Sequence, residues 1–183
     1  MESPPSLHEH QKIINRFADI LGSSHFQDVK DRKLVENGAP PFHGGIDVGT
    51  VVEKARIVAA SMIKALQGEI PPVASPNTTS LIFKGLAGAA VIIPSRNPAL
   101  ILSVRGICSV LAAGRTDVVK AFEMYPWTHQ IILETFEEAG LPAGCLSQVQ
   151  ASREQAAEVT EVLISHPGIH KIEFIGSPTL VES

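Results

Sequence analysis

Ala89-Ala90-Val91-Ile92-Ile93, then Pro94-Ser95-Arg96-Asn97-Pro98, then an almost unbroken apolar run to Gly114, is the stretch on which the fold turns. Five consecutive apolar residues suit a strand buried on both faces, as in a parallel sheet. The segment Pro98–Ala113 is apolar on nearly all sides and halts at Gly114, which suits a helix packed beneath its neighbours. A short apolar strand, a polar loop and a buried helix make the first half of a strand–helix–strand crossover.

Toward the C-terminus the two periods keep alternating. Thr116–Ala121 is a second strand candidate, and Pro126–Ala139 is helical, with Ile131, Ile132, Thr135 and Phe136 on one side. Gly140 and Pro142 stop that helix. Leu146–Val149 is a third strand. Ser152 and Gln155 form a capping box for a helix to about Ser165, and Ile172–Ile175 is a fourth strand. Four strands joined by helices require a parallel sheet with right-handed crossovers. The expected fold class is therefore α/β, a partial doubly wound, Rossmann-like sheet preceded by an N-terminal helical segment.

Toward the N-terminus, Val51, Ala55, Val58, Met62 and Leu66 share one face of a helix over Val48–Leu66, with Gly68 at its stop. Thr79, Leu81 and Phe83 alternate with Ser80, Ile82 and Lys84, which predicts a strand over Asn77–Lys84. Residues 1–45 read as a poorly structured or partly helical segment, with Ile13, Ile14, Phe17 and Leu21 at helical spacing, and residues 46–183 as the main domain. His8, His10, His25 and His43 lie in the first segment without paired cysteines or a His-Glu-x-x-His frame. They are expected to be exposed rather than to bind a metal.

The 183 residues are enough for one domain with a substantial core, and 44% hydrophobic with 19% charged residues is an ordinary globular composition. A formal charge of −4 provides no basic footprint for nucleic acid and no polybasic membrane patch. Met1–Pro5 lack the layout of a signal peptide, and no apolar run reaches membrane-spanning length. Cys108 and Cys145 have no metal spacing and fall in apolar segments, so free thiols in a reducing cytoplasm are expected.

In such sheets ligands bind outside the carboxyl ends of the strands. Three loops reach that edge: Pro94–Pro98, Lys120-Ala121-Phe122-Glu123 and Phe174-Ile175-Gly176-Ser177. None is a Gly-x-Gly-x-x-Gly loop. Their order nevertheless resembles the aldehyde dehydrogenase superfamily, which carries Pro-Trp-Asn-x-Pro, Leu-Ala-Ala-Gly-Asn, Lys-x-Ser-Glu-x-x-Pro, Glu-Ala-Gly-Leu-Pro-x-Gly, His-Pro and Phe-Thr-Gly-Ser. This chain has Ser95-Arg96-Asn97-Pro98-Ala99, Leu111-Ala112-Ala113-Gly114-Arg115, Lys120–Pro126, Glu138–Gly144, His166-Pro167 and Phe174–Ser177 in that order. Gly68-Glu69-Ile70-Pro71 is most similar to the salicylaldehyde and vanillin dehydrogenase branch.

The resemblance implies a role for each of these positions. Asn97 matches the asparagine whose amide holds the developing oxyanion, although Asn before Pro is also an ordinary helix start. Arg96 stands where the family has Trp. Lys120 and Glu123 match the contacts to the adenosine ribose hydroxyls of NAD or NADP, and Phe122 replaces a smaller residue. Gly176 and Ser177 match the approach to the coenzyme pyrophosphate.

The segments that would supply the general-base glutamate and the nucleophilic cysteine have no counterpart up to Ser183. The chain is therefore expected to be a truncated, pseudoenzyme-like member that binds coenzyme weakly or not at all and does not oxidise aldehydes alone. Two alternatives remain open. One is the front part of a functional NAD(P)-dependent enzyme that turns aromatic aldehydes into acids. The other is a regulatory or oligomerisation partner, homo- or hetero-oligomeric, of a complete homologue, with Thr79–Phe83 matching an oligomerisation arm.

Overall fold

A computed structural model describes residues 5–85 and 88–176. Its elements run α1 (Leu7–Gly22), α2 (Phe26–Asn37), α3 (Pro41–Ala65), β1 (Ala89–Ile93), α4 (Ala99–Ala112), β2 (Asp117–Lys120), α5 (Pro126–Glu138), β3 (Leu146–Val149), α6 (Ala156–Ser165) and β4 (Ile169–Phe174). The four strands form one parallel sheet in the order β3-β2-β1-β4. The chain steps outward from β1 to β2 to β3, then returns to place β4 on the other side of β1. The sheet therefore has a topological switch point between β1 and β4, where crevices form at the carboxyl edge.

The α/β alternation predicted from Ala89 onward is present element for element. Helices α4 and α5 pack on β1, β2 and β3, while α6 packs on β4. Val91 and Ile92 are fully buried, which is what an uninterrupted apolar strand requires of both its neighbours. Gly106 lets α4 settle closely on β1, because a Cβ there would come within 2.8 Å of the Ile92 side chain. The proposed capping box is half formed. The Ser152 hydroxyl accepts from the Gln155 N–H at 3.3 Å, but α6 begins only at Ala156.

Of the two states expected for the N-terminal segment, the structure has the helical one. Residues read as poorly structured or partly helical form α1, α2 and the first turn of α3, and the division at 45/46 falls inside α3. Helix α1 is capped by Ser6, which accepts from the Glu9 N–H while the Glu9 carboxylate accepts from the Ser6 N–H at 2.5 Å. Its stripe Ile13, Ile14, Phe17, Ala18 and Leu21 is buried, and Phe17 stacks on Phe136 of α5 with ring centroids 3.9 Å apart. One continuous core thus joins α1, α3, α4, α5 and the near face of the sheet. His10 belongs to the same stripe and is buried, contrary to the expectation of exposure. The spacing of His10, Ile13, Ile14 and Phe17 carried that signal, outweighed in the sequence by the polarity of its neighbours.

The strand expected over Asn77–Lys84 is also revised. The segment makes a single antiparallel bridge, Glu69 with Ile82, and Leu81 and Phe83 are exposed. Alternation marks a residue run able to pair, but ladders need a partner, and Glu69–Ile82 is as far as pairing goes here.

Candidate coenzyme site

Strand β2 delivers Lys120 to the carboxyl edge of the sheet, and the turn after it carries Glu123 back toward the lysine. The Lys120 ammonium lies 3.6 Å from the Glu123 carboxylate, and both side chains are largely withdrawn from solvent, at 8% and 18% exposure. This pair is not a surface ion pair waving in water. It is a sheltered donor–acceptor set, able to receive a hydroxyl pair from a ligand lying along the edge.

Buried side chains fix the turn that holds it. The Tyr125 carbonyl can only accept, so the 2.8 Å contact from His129 Nδ1 places the proton on that nitrogen. His129 Nε2 is then the acceptor for the Ser103 hydroxyl at 3.1 Å. Burial pushes the His129 pKa down, and the Lys120 charge pushes it in the same direction. A neutral imidazole therefore ties the Glu123 turn to helix α4. From the other side, Glu36 of α2 accepts the N–H groups of Trp127 at 2.6 Å and Thr128 at 3.0 Å, and also the Thr128 hydroxyl. A carboxylate there satisfies orphan donors and complements the positive end of α5. The Glu36 anchor was not legible in the sequence, because it lies 92 residues from Thr128. His129 gave a fainter signal, as a polar residue beside Ile131 and Ile132 on a helix with a buried face.

Asn97 sits in the loop after β1, beside the switch point, and is exposed. It does not cap α4. The cap position is Pro98, in extended conformation and without a side-chain bond, and the first helical bond runs from Leu102 N–H to the Pro98 carbonyl. The asparagine is one residue too early to reach the N2 or N3 amides, which leaves its amide directed by the loop alone. Arg96 next to it is exposed as well. Gly176 follows β4 on the far side of the switch point, and a Cβ there would strike the Phe174 ring. Ser177 lies outside the described residues. The structure thus sets Asn97 and Gly176 after the two strands that flank the crevice, with Lys120 and Glu123 one strand away.

The sequence matches the aldehyde dehydrogenase family over residues 4–182. The chain belongs to that family. It is 31% identical over 169 residues to a salicylaldehyde dehydrogenase of Pseudomonas putida, covering 92% of this chain and 35% of that protein. It is 32% identical over 171 residues to a Pseudomonas vanillin dehydrogenase, with 92% and 34% covered. Among solved structures, a salicylaldehyde dehydrogenase from Pseudomonas putida in complex with salicylaldehyde superposes with a TM-score of 0.91 at 29% identity, covering 96% of this chain and 36% of that one. An NAD-dependent benzaldehyde dehydrogenase from Corynebacterium glutamicum gives 0.87 at 26% identity, covering 97% and 38%. This aldehyde dehydrogenase chain therefore spans about a third of the length of the relatives it matches.

The two thiols differ from a catalytic cysteine in their surroundings. Cys108 is mid-helix and fully buried, and burial pushes its pKa up to about 12. Cys145 is half-buried and its pKa is also raised by burial. A thiol that stays protonated is a poor nucleophile. No helix among the described residues is long and apolar enough to cross a membrane, and no group of three or more His, Cys, Asp or Glu side chains there could hold a metal ion.

Proposed function

We propose that this chain is the coenzyme-facing front of an NAD(P)-dependent aldehyde dehydrogenase, located in the cytoplasm, whose Lys120 and Glu123 receive the adenosine ribose. The observation that carries the reading is the sheltered Lys120–Glu123 pair at the carboxyl edge of β2, braced by His129 and Glu36. Asn97 is assigned to the oxyanion of the aldehyde adduct, and Gly176 and Ser177 to the coenzyme pyrophosphate. The relatives named for salicylaldehyde, vanillin and benzaldehyde point to aromatic aldehydes as the substrate class.

On its own the chain binds coenzyme weakly and turns over no aldehyde, because Cys108 is buried and Cys145 precedes β3, at the amino end of the sheet and away from the coenzyme edge, so neither offers a thiolate for the covalent adduct from which hydride leaves. Calorimetry with NAD, NADP and AMP, paired with NAD(P)H formation from benzaldehyde, tests both statements. Weak binding of all three adenosine ligands, lost in Glu123→Ala, is the expected result. Turnover above background by the chain alone would sink the claim of silence, and unchanged AMP binding in Glu123→Ala would sink the ribose assignment. A second reading, a chain that regulates or assembles with complete homologues, rests on the exposed residues of the Leu81–Phe83 segment. Co-purification with a full-length relative would favour it.

A further inference from the structure

Ser103 of α4 and His129 of α5 are enclosed where the two helices pack, at 0% and 1% exposure. On the same helix faces stand Leu100, Ile107 and Ile132, all apolar and buried. An apolar pair would fill that space without withdrawing polar groups from water. The imidazole instead uses both of its nitrogens, and its two bonds run in opposite directions. Nε2 accepts from the Ser103 hydroxyl at 3.1 Å, which reaches α4 within about two turns of Asn97. Nδ1 donates to the Tyr125 carbonyl at 2.8 Å. Tyr125 is the last residue of the turn that carries Glu123, closed by its own N–H donating to the Phe122 carbonyl at 3.0 Å. The ammonium of Lys120 and the carboxylate of Glu123 are 3.6 Å apart, which is beyond the roughly 3.2 Å limit of a good N–H···O bond. A lysine has the freedom to close that gap, and in a sheltered site the attraction is strong. A closed pair would compete with a ribose diol for the same donor and acceptor.

We infer that Ser103 and His129 are positioning residues for the coenzyme: through the Tyr125 carbonyl they lock the Glu123 turn to α4 and hold the Lys120–Glu123 pair open for the ribose hydroxyls. The inference rests on the ribose reading of that pair. Both residues are enclosed, so neither reaches the ligand edge itself, and their action runs through the Glu123 carboxylate. Only the Nδ1–H tautomer serves. A bare Nδ1 would set its lone pair against the Tyr125 carbonyl, and a proton on Nε2 would leave the Ser103 hydroxyl without its acceptor. Burial, joined by the Lys120 charge, keeps the imidazole neutral. The same bonds join the two walls of the crevice, since α4 starts just after Asn97 and the turn it holds carries the ribose acceptor.

A double-mutant cycle in NAD affinity, read by nuclear magnetic resonance titration of the chain, tests this. Glu123→Ala and His129→Leu should each weaken NAD binding about five- to tenfold, and Ser103→Ala about threefold. The double variant should bind no more weakly than Glu123→Ala alone, because His129 acts only through that carboxylate. A histidine that merely packs would give additive losses. Should His129→Leu not fold, His129→Gln and Ser103→Ala, each combined with Glu123→Ala, complete the same cycle. Nitrogen resonances of the imidazole need neither variant nor coenzyme: in the wild type at neutral pH they should show Nδ1 protonated and Nε2 bare. Unchanged NAD binding in Glu123→Ala, or no NAD binding by the wild type, overturns the ribose reading and this inference with it. Weakening by Glu123→Ala with unchanged binding in the His129 variants, additive losses, or the Nε2–H tautomer overturns the inference alone.

Discussion

Asp117 opens β2 with both carboxylate oxygens buried and without a hydrogen-bond partner among the described residues. Burial pushes its pKa up from 3.8 to about 8 and nearby Glu173 adds to the rise, while the Val118 N–H, near the carboxylate but short of hydrogen-bonding geometry, offsets part of it. The unfolded chain releases this proton near pH 4, whereas the folded chain keeps it until about pH 8. Proton binding thus favours the folded state throughout that window, so the associated stability is complete below pH 4 and is lost as pH climbs toward 8. At about 1.4 kcal/mol per unit of pKa difference, the loss from pH 5 to pH 8 is on the order of 4 kcal/mol. Against a total of about 5–15 kcal/mol for a domain, that is a large share.

The depressed pKa values of His10 and His129 act at the other end. Both prefer to be neutral when folded, so their contribution is present above pH 6.5 and is lost on acidification. Asp117→Asn removes only the alkaline limb. Urea unfolding of wild type and variant at a single low protein concentration, from pH 5 to 8.5, isolates the aspartate as the difference between the two curves. The variant should gain on the wild type steadily as pH rises, and Asp117→Val, which also removes the unpaired polar atoms, should gain more at every pH. Parallel curves for wild type and Asp117→Asn would refute the reasoning, because they would mean that the aspartate ionises alike in both states.

Three further outcomes follow from the packing. Phe17→Ala empties the stack against Phe136 that joins α1 to α5, and should cost about 3–5 kcal/mol in urea unfolding. Glu36→Ala strips the N-terminus of α5 of its acceptor and should cost about 1–2 kcal/mol, with faster hydrogen exchange at Trp127 and Thr128 than elsewhere in α5. In thiol labelling at pH 8, Cys108 should stay unmodified in the native chain and react only after urea is added, since it is enclosed and its pKa is about 12. Cys145, half-buried, should label natively and slowly.

The alternation of periods from Ala89 to Phe174 was enough to determine the parallel sheet, because a strand buried on both faces and the helix that covers it each carry their own local pattern. The family followed from loop motifs, since those residues sit where strands end and local backbone geometry sets them. Tertiary structure alone decided the rest. Residues 7–37 became two helices because Phe17, Leu21 and Val29 found a core to enter, and local propensity does not report a distant partner. Asn77–Lys84 had a strand's alternation and no ladder to join. Lys120 and Glu123 were visible as a motif, but their shelter comes from His129 and Glu36, brought from other helices. The suppressed ionisation of Asp117 is likewise a property of its surroundings: an aspartate has the same chemistry anywhere in the sequence, and only the packed sheet around it withholds the water and the donors that would let it ionise.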